Sequence, residues 1–311
     1  MMHAINCFGI VRSVSLLLVF FMAVFGVGSA LADEAGPSAP AKASRQIEGQ
    51  PADSVAHARL SAWSPIFRGV QRLQASVDQP RPLKVQAVRV DLREPGIDFL
   101  VTPSNGAAPK DVGARSVSEF LEEFQCQVAI NGSVFDVYAE HRGDPMDVLG
   151  LSLSRGQRYS PPNRWDALLI GKDRRAWVAR APVNARAAWN GLSGYYALLL
   201  DGKNRGGMAD LHPRTAVGIS RDGRYLFLMT ADGRQFGYSE GLTTAETAEW
   251  MRRLGAYNAL NLDGGGSTTL VMQGAGGKPE VLNRPSGPPA GIERRVANHL
   301  CVFAPRLKSG G

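Results

Sequence analysis

In the stretch Asn261-Leu262-Asp263-Gly264-Gly265-Gly266-Ser267-Thr268-Thr269-Leu270-Val271, an apolar run ends on a carboxylate and meets three glycines in a row. Read as a strand over 259–263, its two-residue period puts Leu260 and Leu262 on one face and Asn261 and Asp263 on the other. Three glycines accept positive φ and let a ligand or a second backbone approach closely, with N–H groups that can surround an anion. Ser267 and Thr268 add hydroxyls at the exit. The bland alternative is a tight turn between two buried strands that Asp263 merely caps.

Other periodic segments surround it. Leu83–Asp91 alternates apolar and polar residues, and 97–102 follows after Pro95-Gly96, as a hairpin or meander would. The spacing of Val117, Phe120, Leu121 and Phe124 predicts a helix, followed by a strand at 127–130. Further strands are expected at 148–153, 166–170, 174–178, 195–200, 215–219 and 224–230. Thr243-x-x-Glu246 is a capping box for a helix running to Leu254, with Gly255 ready to end it. Many strands and few helices predict an α+β domain with mixed, largely antiparallel sheets and a few packed helices.

At the N-terminus, Arg12 precedes an apolar run from Val14 to Val27, and Ala30-x-Ala32 fits a signal-peptidase site before Asp33. This predicts a cleaved signal over 1–32, a periplasmic or secreted protein, and no stable membrane span after cleavage. Residues 33–60, rich in Ala, Pro, Ser and charge, read as a disordered linker. One domain is expected over 61–311.

The formal net charge is +7; removal of the leader takes away Arg12 alone, leaving 34 Lys and Arg against 28 Asp and Glu, or +6. A basic exported chain suits anionic envelope surfaces or acidic substrates. The excess is scattered and no nucleic-acid motif accompanies it, which argues against DNA or RNA as a partner. Beyond the leader only Cys126 and Cys301 remain, either a disulfide or two buried thiols in neighbouring core strands.

Polar clusters sit at the ends of expected strands: Asn131-Gly132, His212-Pro213-Arg214-Thr215, Asp232-Gly233-Arg234 and Asp263 with its glycines. Arg214 is the most informative, because a guanidinium fork matches a phosphate or carboxylate. These clusters, with Ser239-x-Gly241-Leu242-Thr243, occur in an order and spacing that resembles the phosphodiester glycosidases related to the lysosomal uncovering enzyme, over roughly Leu83 to Phe303. Many bacterial relatives of that family are exopolysaccharide-associated. Where the family usually shows a run like N-G-G-F-F, this chain has Asn131-Gly132-Ser133-Val134-Phe135.

The resemblance implies a hydrolase that cleaves the C1–O bond of a sugar-1-phosphodiester or a related anionic glycan. Asp263 and Arg214 are the expected catalytic residues. The expected substrate-binding set is Asn131, Gly132, Thr215, Asp232, Arg234, Gly264, Gly265, Gly266, Ser267 and Thr268. His212 is a candidate acid or a strand-end packing residue. No cofactor and no metal ligand set is expected, with room left for a bound Ca²⁺. Two rivals stand beside this reading: a non-catalytic glycan-binding or exopolysaccharide-assembly protein of the same fold, and a metal-dependent phosphodiesterase cutting the P–O bond, for which the sequence clusters no Asp and His ligands.

Overall fold

The computed structural model describes residues 58–307. The expected leader and the linker up to residue 57 lie outside them. The linker is shorter at its far end than the composition suggests, because Arg59–Leu60 already pairs with Ser76 and Ala75 as an edge strand.

Alternation in the sequence becomes two opposed faces. In Leu83–Asp91 and Tyr225–Ala231, Val88, Val90, Leu226 and Leu228 point into one core, whereas Val85, Ala87, Phe227 and Met229 point into another. Both strands belong to a nine-stranded sheet that also holds Val70–Val77, Arg214–Ile219, Asn258–Asn261 and Ala197–Leu200. A five-stranded sheet built on Val128–Asn131, Leu270–Gln273 and His299–Phe303 faces it, and a second five-stranded sheet around Ala167–Ile170 and Asn190–Ser193 contributes Leu168, Ile170 and Leu192 to the shared core. Burial of these aliphatic faces, at about 25 cal/mol per Å², is the main force holding the sheets together.

One helix covers the outer face of each large layer. Thr244–Leu254 lies on the nine-stranded sheet through Ala248, Trp250, Met251 and Leu254. Val117–Phe124 lies on the five-stranded sheet through Val117, Phe120 and Leu121. Both begin with reciprocal capping boxes: Glu246 N–H donates to Thr243 Oγ1 at 3.1 Å and Thr243 N–H to Glu246 Oε2 at 2.9 Å, with Ser116 and Glu119 repeating the pattern. Glu246 also pairs with Arg81 at 2.6 Å, tying the helix start to the edge of the sheet. Gly255, at φ 111°, ends the longer helix as expected.

Two expectations need correction. The sheets are not mixed: every pairing between the described strands is antiparallel. Strand direction follows from how long connections cross the layers, which side-chain alternation does not encode. The strand before the glycines also stops at Asn261, two residues short of Asp263. Among the described residues no helix is long and apolar enough to cross a membrane.

Cys126 and Cys301, 175 positions apart in sequence, form a disulfide with Cα atoms 6.2 Å apart. It lies under the shorter helix, beside Phe120 and Leu121. Replacing both cysteines by alanine should lower stability by about 5 kcal/mol on the chain-entropy model, read as a shift in the urea midpoint. Labelling by a thiol reagent in denatured, unreduced protein would contradict the pairing.

Candidate active site

The site lies where the ends of strands from the two facing sheets meet. After Asn261 the chain leaves the nine-stranded sheet, and at Leu270 it joins the five-stranded one. Leu262 N–H donates to Thr215 O at 2.9 Å and Asp263 N–H to Gly132 O at 3.1 Å, so Asp263 is held between both sheets. A cavity of about 360 Å³ opens there, a volume usual for small-molecule sites, lined by Asp263, the three glycines and three arginines, Arg214, Arg234 and Arg294.

Asp263 is the only carboxylate among the lining residues. Burial pushes its carboxyl up to about 6, while the Ser267 hydroxyl, the Arg294 charge and the Gly264 N–H pull in the opposite direction. Ser267 Oγ is near enough to favour the carboxylate but has no partner within hydrogen-bond geometry. Arg214, buried at the start of its strand, donates from Nε to Leu242 O at 2.8 Å and from Nη2 to Asp210 O at 2.7 Å. These carbonyls fix its plane and leave the Nη1 edge without a protein hydrogen bond. Burial also lowers its pKa from the usual arginine value, and the group stays charged.

His212 Nδ1 lies 3.2 Å from Arg234 Nη2. The guanidinium can only donate, so Nδ1 is the accepting nitrogen. Burial, then the Arg234 and Arg214 charges, lower the His212 pKa, which keeps the imidazole neutral at pH 7 and unsuited to serve as a ready acid. Asn261 lines the cavity beside Asp263, on the shared side that its sequence spacing implied. Its Oδ1 is buried without a protein hydrogen-bond partner.

The glycines serve a different purpose from the one expected. Gly265 N–H already donates to Pro213 O at 3.0 Å, so this donor is not free for a phosphate, and the Gly264 N–H lies where it favours the ionised Asp263 carboxylate. What the triplet supplies is space. A Cβ at Gly265 would lie 3.0 Å from Arg234 Nη1, at a φ of 62° that other residues avoid, and one at Gly266 would overlap the Arg294 guanidinium. The three arginines are the cationic groups of the cavity wall.

Several expected ligand residues are buried behind the cavity. Asn131 Oδ1 accepts from Thr215 Oγ1 at 2.9 Å and from Thr269 N–H at 3.1 Å, and its Nδ2 donates to Asp263 O at 2.7 Å. Thr215 also contacts Thr268 at 3.3 Å. Gly132 packs against Asn298, and Ser267 is fully buried. Asp232 binds no open space: it accepts from Asn283 Nδ2, Arg284 N–H and Tyr238 Oη, and burial pushes it up to about 6. These groups position the loop, and none of them lines the cavity. Among the described residues no group of three or more His, Cys, Asp or Glu is placed to hold a metal ion.

A family model described as phosphodiester glycosidase matches residues 124–303, more than half of the chain, which takes in Arg214, Arg234, Asp263 and Arg294. The chain belongs to the phosphodiester glycosidase family. Its similarity to mouse N-acetylglucosamine-1-phosphodiester alpha-N-acetylglucosaminidase is 39% identity over 99 residues, covering 30% of this chain and only 18% of that protein. The catalytic domain of the zebrafish enzyme, auto-inhibited by its pro-peptide, superposes with a TM-score of 0.57 at 22% identity, covering 80% of this chain and 90% of that one. A Synechocystis protein superposes at 0.59 with 17% identity, over 78% of this chain and 64% of that one. At such identities the superpositions show a shared fold.

Sequence reasoning missed Arg294, Tyr138 and Met208, which line the cavity from segments without a periodic signal, and Tyr195, the first residue of the strand expected at 195–200. The Asp232 latch gives a direct test. Asp232→Ala leaves buried donors on Asn283 and Arg284 without their acceptor and should destabilise the protein by about 2–3 kcal/mol. Chemical denaturation measures it, and a change below about 0.5 kcal/mol would show that the latch is not structural.

Proposed function

We propose that this chain is an exported hydrolase that cleaves the C1–O bond of sugar-1-phosphodiesters or of related anionic envelope and exopolysaccharide glycans. The observation that carries this reading is one carboxylate, held near neutrality in its titration, inside a wall of three arginines. None of the three has a carboxylate within ion-pair distance among the described residues, so a substrate anion has the cations to itself.

The count of carboxylates supports the chemistry. Most glycosidases use two, one to protonate the departing oxygen and one at the anomeric carbon. A phosphodiester oxygen is a weak base and leaves without a proton, so the acid is dispensable and anion stabilisation takes its place. As the C1–O bond breaks, its electron pair goes to the phosphate, and Arg214, Arg234 and Arg294 are arranged to hold that charge. Asp263 serves the anomeric carbon, as base for water or as nucleophile; in either role it must be ionised.

Turnover of a sugar-1-phosphodiester in isotopically labelled water tests the reaction: label in the sugar supports C1–O cleavage, and label in the phosphate contradicts it. Binding without turnover would favour the glycan-binding rival.

Asp263→Asn should lower kcat by about a thousandfold, some 4 kcal/mol of transition-state stabilisation. The wild type should lose kcat/KM as pH falls through about 6, where Asp263 takes a proton. The sign for stability is opposite. A carboxyl raised from 3.8 to about 6 favours the folded state most below pH 3.8, and that contribution is lost as pH rises through 6. Asp263→Asn should therefore be no less stable than the wild type above pH 6 by thermal melting, although it is inactive. Arg214→Lys should cut kcat/KM by about ten- to a hundredfold, because an ammonium reproduces neither the two carbonyl anchors nor the free Nη1 edge. Activity within a few-fold of wild type would remove Arg214 from the anion site.

A further inference from the structure

Seven large hydrophobic side chains stand exposed among the described residues, and five of them either line one cavity or stand within two residues of a group that lines it: Val137, Tyr138, Met208, Phe236 and Ile292. Tyr138 and Met208 line it directly. Phe236 follows Arg234 by two residues, at the tip of a turn closed by the Gln235 and Ser239 pairing, and is 97% exposed. Ile292 precedes Arg294 by two residues, and Val137 adjoins Tyr138, whose ring carries the Arg294 guanidinium at 4.6 Å. Four separate segments thus each supply one lining group of the cavity, and each carries an exposed apolar side chain at that group or within two residues of it.

Single exposed apolar residues need no explanation, but a ring of them on otherwise unrelated loops does. A sugar or a polar aglycone draws little from Val137, Met208 and Ile292, which offer neither hydrogen bonds nor aromatic faces. The cationic cavity fixes an anion at the centre of the ring. The ligand that satisfies both is an amphiphile whose phosphate sits among the arginines while a hydrocarbon chain leaves across the rim.

We propose that the aglycone of the substrate is an apolar alcohol, a long alkyl or isoprenoid chain, held by the Val137, Tyr138, Met208, Phe236 and Ile292 rim. This rests on the phosphodiester reading of the cavity and adds the chemical class of the leaving group. Burying a methylene completely is worth about 0.8 kcal/mol, close to fourfold in affinity, and a partly open rim recovers less of this per carbon.

The test uses the whole protein and sugar-1-phosphate esters of methanol, butanol and octanol, kept below micelle formation. For the wild type kcat/KM should rise at least about tenfold from methyl to octyl. In Phe236→Ser/Ile292→Ser, neither of which contacts the reacting atoms, the rise should collapse while the methyl ester is turned over as before. A flat wild-type series, or a rise that survives the double variant, overturns the proposal. Calorimetric binding of decyl phosphate against inorganic phosphate reads the rim without any turnover. A preference for decyl phosphate that is lost in the double variant supports the rim even if no ester is cleaved, which would count against the glycosidase reading alone. If the double variant loses only co-sedimentation with anionic vesicles, and the wild type shows no chain preference for monomeric ligands, the rim serves a membrane surface and the proposal falls.

Discussion

The buried amide of Asn131 is the point on which the site depends. It stands at the end of a strand of the five-stranded sheet, receives hydrogen bonds from Thr215 of the nine-stranded sheet and from the Thr269 backbone, and gives one to the carbonyl of Asp263. Three bonds from one side chain thus lock two sheets and the loop that passes between them. Inside a dry core each bond is stronger than in water, and loss of the amide would leave several buried groups unpaired at once. The register of the loop follows from this lock, and the register decides where the carboxylate and the glycines stand.

On that fixed loop the electrostatics are deliberately unbalanced. Two cations press against the backbone at Gly265 and Gly266, where any side chain would displace them, and a third is anchored by carbonyls. Burial first, and then the neighbouring arginine charge, lowers the proton affinity of Arg214 and of His212, and holding like charges together in so poorly solvated a space is unfavourable. An incoming anion relieves this repulsion. In the proposed reaction, the free energy of anion binding would include this relief, and the leaving group would meet donors that need no rearrangement as its charge develops.

Much of this was legible in the sequence where a local rule decides. The alternation in Leu83–Asp91, the apolar spacing of Val117, Phe120, Leu121 and Phe124, and the capping box at Thr243 produced the elements that they predict. Asp263, Arg214, Arg234 and the glycines do meet in one cavity. Polarity at a strand end misled the reading of Asn131, Thr215, Thr268 and Asp232. A polar side chain looks the same in sequence whether it faces a ligand or a buried partner, and the partners here are 84, 132 and 51 residues away. Arg294 escaped for the converse reason: it comes from an irregular segment and gains its meaning from the vacancy at Gly266, which only the folded backbone reveals.

The cystine has a consequence for wear as well as for folding. It closes a covalent ring from Cys126 to Cys301 that contains all three arginines, the carboxylate and every loop of the rim. A protease that clips an exposed turn, such as the one bearing Phe236, opens the ring at one place and releases nothing. The two flanks stay tethered and remain anchored in sheets whose hydrogen bonds are untouched. A nicked molecule would keep its cations opposite their carboxylate, so the lifetime of the site is set by the second cut, not the first.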